Sequence, residues 1–141
     1  MASVSTVMTS NPATCKVNTS VRDVARMMLE SDCGQIPVID DQGRPLGVVT
    51  DRDIAVRVVA NGGDGTATAG EAVTSPVRTV RADSDLKDCL CVMVEAQVRR
   101  VPVVDDSGKL TGIVALADIA LAGKSRATGE VVKEVSEPPG S

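Results

Sequence analysis

Two short runs hold the residue types best placed for chemistry. Gly47-Val48-Val49-Thr50-Asp51-Arg52-Asp53 sets a hydroxyl, two carboxylates and a guanidinium directly after a β-branched stretch. Gly112-Ile113-Val114-Ala115-Leu116-Ala117-Asp118 echoes it 65 residues later. What recurs is a small residue followed by a polar cluster at the end of an apolar run, which matches no recognised catalytic constellation. The chain has no histidine, so acid–base work would rest on carboxylates, Ser/Thr, Lys or Cys. No GxSxG, phosphate-binding P-loop or dinucleotide fingerprint occurs, and an enzyme is not expected.

Composition removes other classes. Cys15, Cys33, Cys89 and Cys91 occur without a CxxC pair, which excludes the usual zinc spacings, and no metal site is expected. In a cytosolic chain they read as reduced thiols, small and apolar enough to pack. Without Phe, Trp or Tyr, a planar ligand has no aromatic ring to stack on and would lie between aliphatic side chains and backbone. The formal charge of −4 argues against a nucleic-acid partner. The start MASVSTVMTSNP lacks a basic and then an apolar region, and apolar runs are short throughout. Neither a signal peptide nor a membrane span is expected, and the location expected is cytoplasmic.

The elements that must position the two runs repeat as well. Residues 36–55 set against residues 101–120 without a gap, with 10 of 20 positions identical. Upstream at the same offset, Val21, Val24, Ala25, Met28 and Leu29 correspond to Leu86, Cys89, Leu90, Met93 and Val94. This spacing predicts a helical apolar stripe facing a core, with Cys89 as core filler where Val24 packs. Ser20 with Asp23 predicts a capping box, and Asp83 or Ser84 the second cap. Each helix leads into a hairpin around Asp-Asp-x-Gly: Ile36 to Ile39 with Leu46 to Val49, and Val101 to Val104 with Leu110 to Val114. Pro37 and Pro102 cannot donate to a ladder and are expected at a strand start or edge.

A second helix is predicted from Asp51 to Asn61 and from Leu116 to Gly123, each ended by glycine. Extended segments, Ala13 to Val17 and Val77 to Arg81, precede the long helices. The fold class is therefore α/β in the α+β sense, a βαββα unit occurring twice. Residues 1–62 make the first unit, 63–70 (within NGGDGTATAG) the connection, 71–123 the second unit and 124–141 the tail. In that tail GEVVKEVSE reads as a short helix and PPGS as disordered. Halves of roughly 60 residues alone bury too little surface for more than marginal stability, so one joint core is expected.

Over about residues 4 to 122 this pattern resembles the cystathionine-β-synthase-type (CBS) domain, whose units occur in tandem with G-h-x-[T/S]-x-x-D at the start of the last helix. VMTSNP, PVIDDQG and GVVTDRDI carry the resemblance in one unit, PVVDDSG and GIVALADI in the other. TATAGE and QVRRVPV are similar to short stand-alone tandem proteins of the hypoxic response type. The resemblance implies a pseudo-twofold pair of units (a Bateman module) with two clefts that in many members bind AMP, ADP, ATP or S-adenosylmethionine. It implies no required cofactor, a disc-like homodimer, and an output read by an effector protein.

On that resemblance Asp53 and Asp118 are the candidate ribose ligands, since a carboxylate accepts both hydroxyls. Thr50 with nearby helix-start amides suits phosphate. The second unit departs from the motif at Ala115, so the two sites are not expected to be equal, and the better-formed one contains Thr50 and Asp53. Arg99 and Arg100 match a position where the family carries phosphate-reaching basic residues, whereas the first unit has Gly34-Gln35 there; Arg52 and Lys16 are weaker candidates. Adenine would lie against Ile36 and Pro37, or Val101 and Pro102, with backbone edges of the Ala13 to Val17 segment, Thr14, Cys15 and Lys16 among them, reading the base.

Plainer readings stand beside these. An acidic residue in a first helical turn, as at Asp53 and Asp118, is stabilising by itself. Arg99-Arg100 reads equally as a solvated or dimer-facing pair, and Gly47 and Gly112 as serving tight packing. For the whole protein the alternatives to a nucleotide sensor are a dimerisation or docking module with empty clefts, and a thiol-based stress protein.

Overall fold

The computed structural model describes residues 2–126, and both expected tail features, GEVVKEVSE and PPGS, lie outside the described residues. A 3₁₀ turn (Val4–Thr6) and β1 (Thr9–Ser10) precede α1 (Val21–Ser31), β2 (Gln35–Ile39) and β3 (Pro45–Thr50). A helical turn, α2 (Asp51–Asp53), continues as π-helix over Ile54–Val59. Then come α3 (Ala69–Ala72), β4 (Val80–Arg81), α4 (Leu86–Ala96), β5 (Arg100–Val104), β6 (Leu110–Ala115) and α5 (Leu116–Arg126). The second helix of the first repeat thus ends as π-helix at Val59 instead of reaching Asn61, and α5 passes through Gly123.

Local chemistry explains the boundaries. Ser20 Oγ accepts the Asp23 N–H at 3.2 Å and caps α1, one half of the expected capping box. The cap of α4 is Asp85, not Asp83 or Ser84: Ser84 Oγ accepts the Arg81 N–H at 3.3 Å, and Asp83 pairs with the Arg81 guanidinium. In the first hairpin turn Asp40 Oδ1 accepts the N–H groups of Gln42 and Arg44, both at 2.9 Å, with Gly43 at φ 82°. These bonds, that from Arg44 first, hold the Asp40 carboxyl below its ordinary range.

The chain divides into two compact units that cut across the sequence repeat. Residues 13–77 with 108–110 form one, and residues 2–12, 78–107 and 111–126 the other. In the first, β2 pairs antiparallel with β3, Cys15 bridges to Val38, and Thr74 bridges to Val48. In the second, the sheet runs β1-β6-β5-β4, so the chain's opening segment pairs with a strand of the second repeat: Thr9 lies opposite Ile113. The pairing consumes backbone groups that a bare hairpin would leave open.

Where a single core is expected there are two clusters, each drawing on the opening segment of the other repeat. Val4, with Ala2, Val7 and Met8, joins Leu86, Cys89, Leu90, Met93, Val101, Val103, Val114 and Ile119. Ala69, Ala72 and Val73 join Cys15, Val21, Val24, Met28, Ile36, Val38 and Val49. The connection is therefore not a plain loop: α3 begins inside it on a Thr68/Glu71 capping box. The helical stripe is narrower than its spacing predicts. Val21, Val24 and Met28 are buried, as are Leu86, Cys89, Leu90 and Met93, but Ala25, Leu29 and Val94 face outward because one sheet face covers only the seam.

Pro37 lies in β2, an edge strand of the two-stranded β2-β3 sheet as expected, whereas Pro102 departs from the expectation. Pro37 stands opposite Val48, whose N–H and C=O both go to Thr74, so this pair exchanges no ladder bonds and the missing donor is not needed there. Pro102 lies within β5, between β6 and β4.

Candidate functional site

β3 delivers Thr50 to the N-cap of α2, and a reciprocal capping box forms. The Thr50 N–H donates to Asp53 Oδ2 at 2.9 Å, and the Asp53 N–H donates to Thr50 Oγ1 at 3.0 Å. Asp53, at 8% exposure, is the only buried charged residue among the described residues. A buried carboxylate needs further partners, and it has them. The Thr74 hydroxyl donates across both oxygens, 3.0 Å from Oδ1 and 3.1 Å from Oδ2, and Arg57 Nε lies 3.5 Å from Oδ1. Arg57 Nη1 also donates to the Val73 C=O at 3.5 Å.

Gly47 makes this arrangement possible. A Cβ there would stand 2.4 Å from the Thr74 carbonyl oxygen and 2.7 Å from a Val73 methyl. Gly112 plays the same part in the other unit, where a Cβ would meet Met8 Sδ at 2.6 Å and the Thr9 carbonyl oxygen at 2.8 Å. Close packing of a crossing segment is therefore the role of both glycines.

The second motif is thinner. The Ala115 N–H donates to Asp118 Oδ2 at 3.3 Å, no hydroxyl is available at position 115, and Asp118 is half-buried. The backbone path is nevertheless shared: the Leu116 N–H donates to the Arg99 C=O at 2.8 Å, as the Asp51 N–H does to the Gly34 C=O at 3.0 Å. Arg99 thus sits at the start of α5 with its side chain exposed, and Arg100 is half-buried.

The other expected site residues are placed as follows. Ile36, Pro37, Val101 and Pro102 are each under 2% exposed, with Ile36 and Val101 in the core clusters of their units. The Cys15 N–H donates to the Pro37 C=O, and the Cys15 C=O accepts from the Ile39 N–H. Lys16 bonds Thr19 through its own N–H and C=O. Within the segment expected to read a base, Ala13 to Val17, the Val17 C=O is also taken, by the Gly70 N–H at 2.9 Å. Lys16 Nζ reaches the Asp40 C=O and Asp41, while Arg52 is exposed. Burial pushes the Cys15 and Cys89 thiols up from 9.0 to about 11, which keeps them protonated at neutral pH and disfavours a thiolate role for either.

Thr74 and Arg57 were not anticipated. Their signals were present: VTS at residues 73–75 repeats the MTS of residues 8–10 at the common offset, and Arg57 lies one helical turn past Asp53. A cavity of about 380 Å³ lies in the other unit, lined by Ala82, Asp83, Val104, Asp105, Asp106 and Ser107. It contains none of the expected ligand residues, and Arg81 pairs with both Asp83 and Asp106.

The family model of the CBS domain matches residues 4–60 and again residues 69–125. The chain belongs to the CBS domain family. Each match begins in an opening segment that packs into the unit of the other repeat. The CBS domain-containing protein YhcV of Bacillus subtilis is 38% identical over 121 residues, covering 86% of this chain and 85% of its own. Hypoxic response protein 1 of Mycobacterium tuberculosis is 42% identical over 115 residues, covering 81% and 80%.

Three solved structures bear on ligands. Hypoxic Response Protein I with two coordinated zinc ions has a TM-score of 0.79 at 36% identity, covering 85% of this chain and 98% of that one. CBSX2 in complex with AMP has 0.76 at 30%, covering 89% and 98%. The CBS domain pair of protein MJ0100, in complex with 5′-methylthioadenosine and S-adenosyl-L-methionine, has 0.78 at 28%, covering 89% and 99%. In the present CBS pair no group of three Cys, Asp or Glu among the described residues is placed to hold a metal ion. No described helix is long and apolar enough to cross a membrane.

Proposed function

We propose that this CBS pair is a regulatory module that binds an adenine nucleotide of the AMP, ADP or ATP type at the Asp53 motif and acts through an effector protein or its own homodimer. The observation that carries the reading is the Asp53 carboxylate itself. A helix cap uses one lone pair of Oδ2 and the Thr74 hydroxyl one more, so this buried group keeps about two of its four acceptor sites, and Thr50 stands one turn ahead of it at the helix start. A carboxylate so placed accepts the two hydroxyls of a ribose, and the Thr50 hydroxyl suits a phosphate. The AMP complex of CBSX2, at 30% identity, supports the nucleotide. S-adenosylmethionine shares the ribose and is the ligand to compare, given the MJ0100 complex. Asp118, with Ala115 before it, makes the weaker second site.

One observation favours a second reading, a dimerisation or docking module with empty clefts. Large apolar side chains stand exposed in each unit, Leu29 at 82% and Val59 at 62% in one, Val94 at 63% and Leu121 at 62% in the other, and a partner would cover such residues.

The absence of aromatic residues makes the test simple, because the protein absorbs little near the adenine maximum and a co-purified nucleotide shows directly in its ultraviolet spectrum. Thermal melts with AMP, ADP, ATP and S-adenosylmethionine follow. A ligand at one hundred times its Kd stabilises the folded state by about 2.7 kcal/mol, and Asp53→Ala is expected to abolish the shift. If none of the four raises Tm at saturation, the nucleotide reading fails and the second stands.

A further inference from the structure

The Asp53 carboxylate takes one of its donors from far along the chain. Thr74 belongs to the opening segment of the second repeat, and its hydroxyl, with a single proton, lies 3.0 Å from Oδ1 and 3.1 Å from Oδ2. Its backbone is held independently. The Thr74 N–H donates to the Val48 C=O at 2.8 Å, the Thr74 C=O accepts from the Val48 N–H at 3.0 Å, and Gly47 has no Cβ to keep the segment away. A β-branched side chain on a backbone held at both groups is a fixed donor.

The other partners do less to orient the group. The Thr50 N–H bonds Oδ2 alone, at 2.9 Å, which leaves the carboxylate free to turn about that contact. Arg57 Nε, half-exposed and 3.5 Å from Oδ1, stands at an ion-pair distance rather than that of a good hydrogen bond. The second motif supplies a comparison. Thr9 stands opposite Ile113 as Thr74 stands opposite Val48, at the common offset, yet no hydrogen bond joins Thr9 to Asp118 among the described residues. There the bond from the Ala115 N–H to the carboxylate is 3.3 Å.

We propose that Thr74 is a positioning residue for the ribose acceptor, a further role that rests on the nucleotide reading above. The second repeat's opening segment carries a donor that fixes the plane of the Asp53 carboxylate, whose remaining acceptor sites then meet a ribose diol. Affinity for a nucleotide therefore depends on how that segment is seated against β3.

Titration calorimetry with AMP and 2′-deoxy-AMP on wild type, Thr74→Val and Thr74→Ser tests this. Residue 74 is exposed, so valine there opens no cavity and keeps the branched shape. Thr74→Val is expected to weaken AMP binding about tenfold, the scale of one hydrogen bond to a charged group. It is expected to weaken 2′-deoxy-AMP by no more than about threefold, because the lost hydroxyl is coupled to the missing one. Thr74→Ser is expected to keep most of the AMP affinity. Undiminished AMP binding by Thr74→Val, or equal losses for the two nucleotides, overturns the positioning role and leaves the nucleotide reading intact. If the wild type does not bind AMP, both fail together. Should Thr74→Val not fold, hydrogen exchange in the wild type decides. AMP is expected to slow exchange of the Val48 and Thr74 amides more than that of the rest of their unit, and slowing no greater than elsewhere refutes the proposal.

Discussion

Replacing Gly47 by alanine adds one methyl group at the point where the crossing segment presses on β3. The new Cβ would lie 2.4 Å from the Thr74 carbonyl oxygen, 2.7 Å from Val73 Cγ2 and 3.1 Å from Ser75 Cβ. The first of these is backbone and has no rotamer to escape into, so the segment must move. Movement strains both hydrogen bonds between Val48 and Thr74, at 3.0 and 2.8 Å, worth about 1 kcal/mol each in net terms. Overpacking adds about 1–3 kcal/mol. The sum, about 3–5 kcal/mol, is a large share of the roughly 5–15 kcal/mol that holds a domain folded. With no Trp or Tyr to report by fluorescence, urea unfolding followed by far-ultraviolet circular dichroism is the assay, with stability from linear extrapolation. Gly34→Ala is the control, since its Cβ would meet only the Asp51 side chain, at 3.1 Å, and that side chain is exposed and able to turn away. A Gly47→Ala protein within about 0.5 kcal/mol of wild type, at unchanged m, would refute the close-approach reasoning.

Thr50→Ala removes the first motif's cap and is expected to cost about 1 kcal/mol, whereas Ala115→Thr supplies the missing hydroxyl and is expected to stabilise by a similar amount; urea midpoints moving in the opposite senses would contradict this. Alkaline stability depends on the buried thiols. Folded Cys15 and Cys89 titrate at about 11 and their unfolded forms near 9.0, so the folded state holds protons that the unfolded state has released. Their contribution is therefore complete below about pH 9 and is lost as pH rises through about 11. Melting temperatures between pH 8 and 11 are expected to fall more steeply in wild type than in a Cys15→Ala/Cys89→Ala variant, and equal slopes count against it.

Much of the architecture was legible because it is encoded locally. The hairpin strands fall within a residue of their expected spans, since β-branched runs and Asp-Asp-x-Gly turns impose period two and a tight reversal whatever surrounds them. α1 begins at Ser20 as its capping chemistry dictates. Spacing alone misjudged how wide a stripe would be covered, because Leu29 and Val94 satisfy the helical period without having a sheet face to meet. Pro102 was misplaced for a related reason: whether its strand gains a neighbour on each side depends on which segments approach it, and that is not written in the strand itself.

The candidate site divides along the same line. Thr50 and Asp53 lie three residues apart, and any helix started there brings hydroxyl and carboxylate into a reciprocal cap. Ala115 likewise marked the second motif as thinner from the chain alone. Thr74 is 21 residues from Asp53 in sequence, on a two-bond backbone bridge too short to carry a residue pattern of its own. Backbone pairing has no side-chain code, so the partner of Gly47 and Val48 is decided by which segment can approach closely enough. The repeated aspartate, its helix and its hairpin were thus determined by sequence alone; the packing of each opening segment against the other repeat's strand, and with it the environment of Asp53, was decided only by tertiary structure.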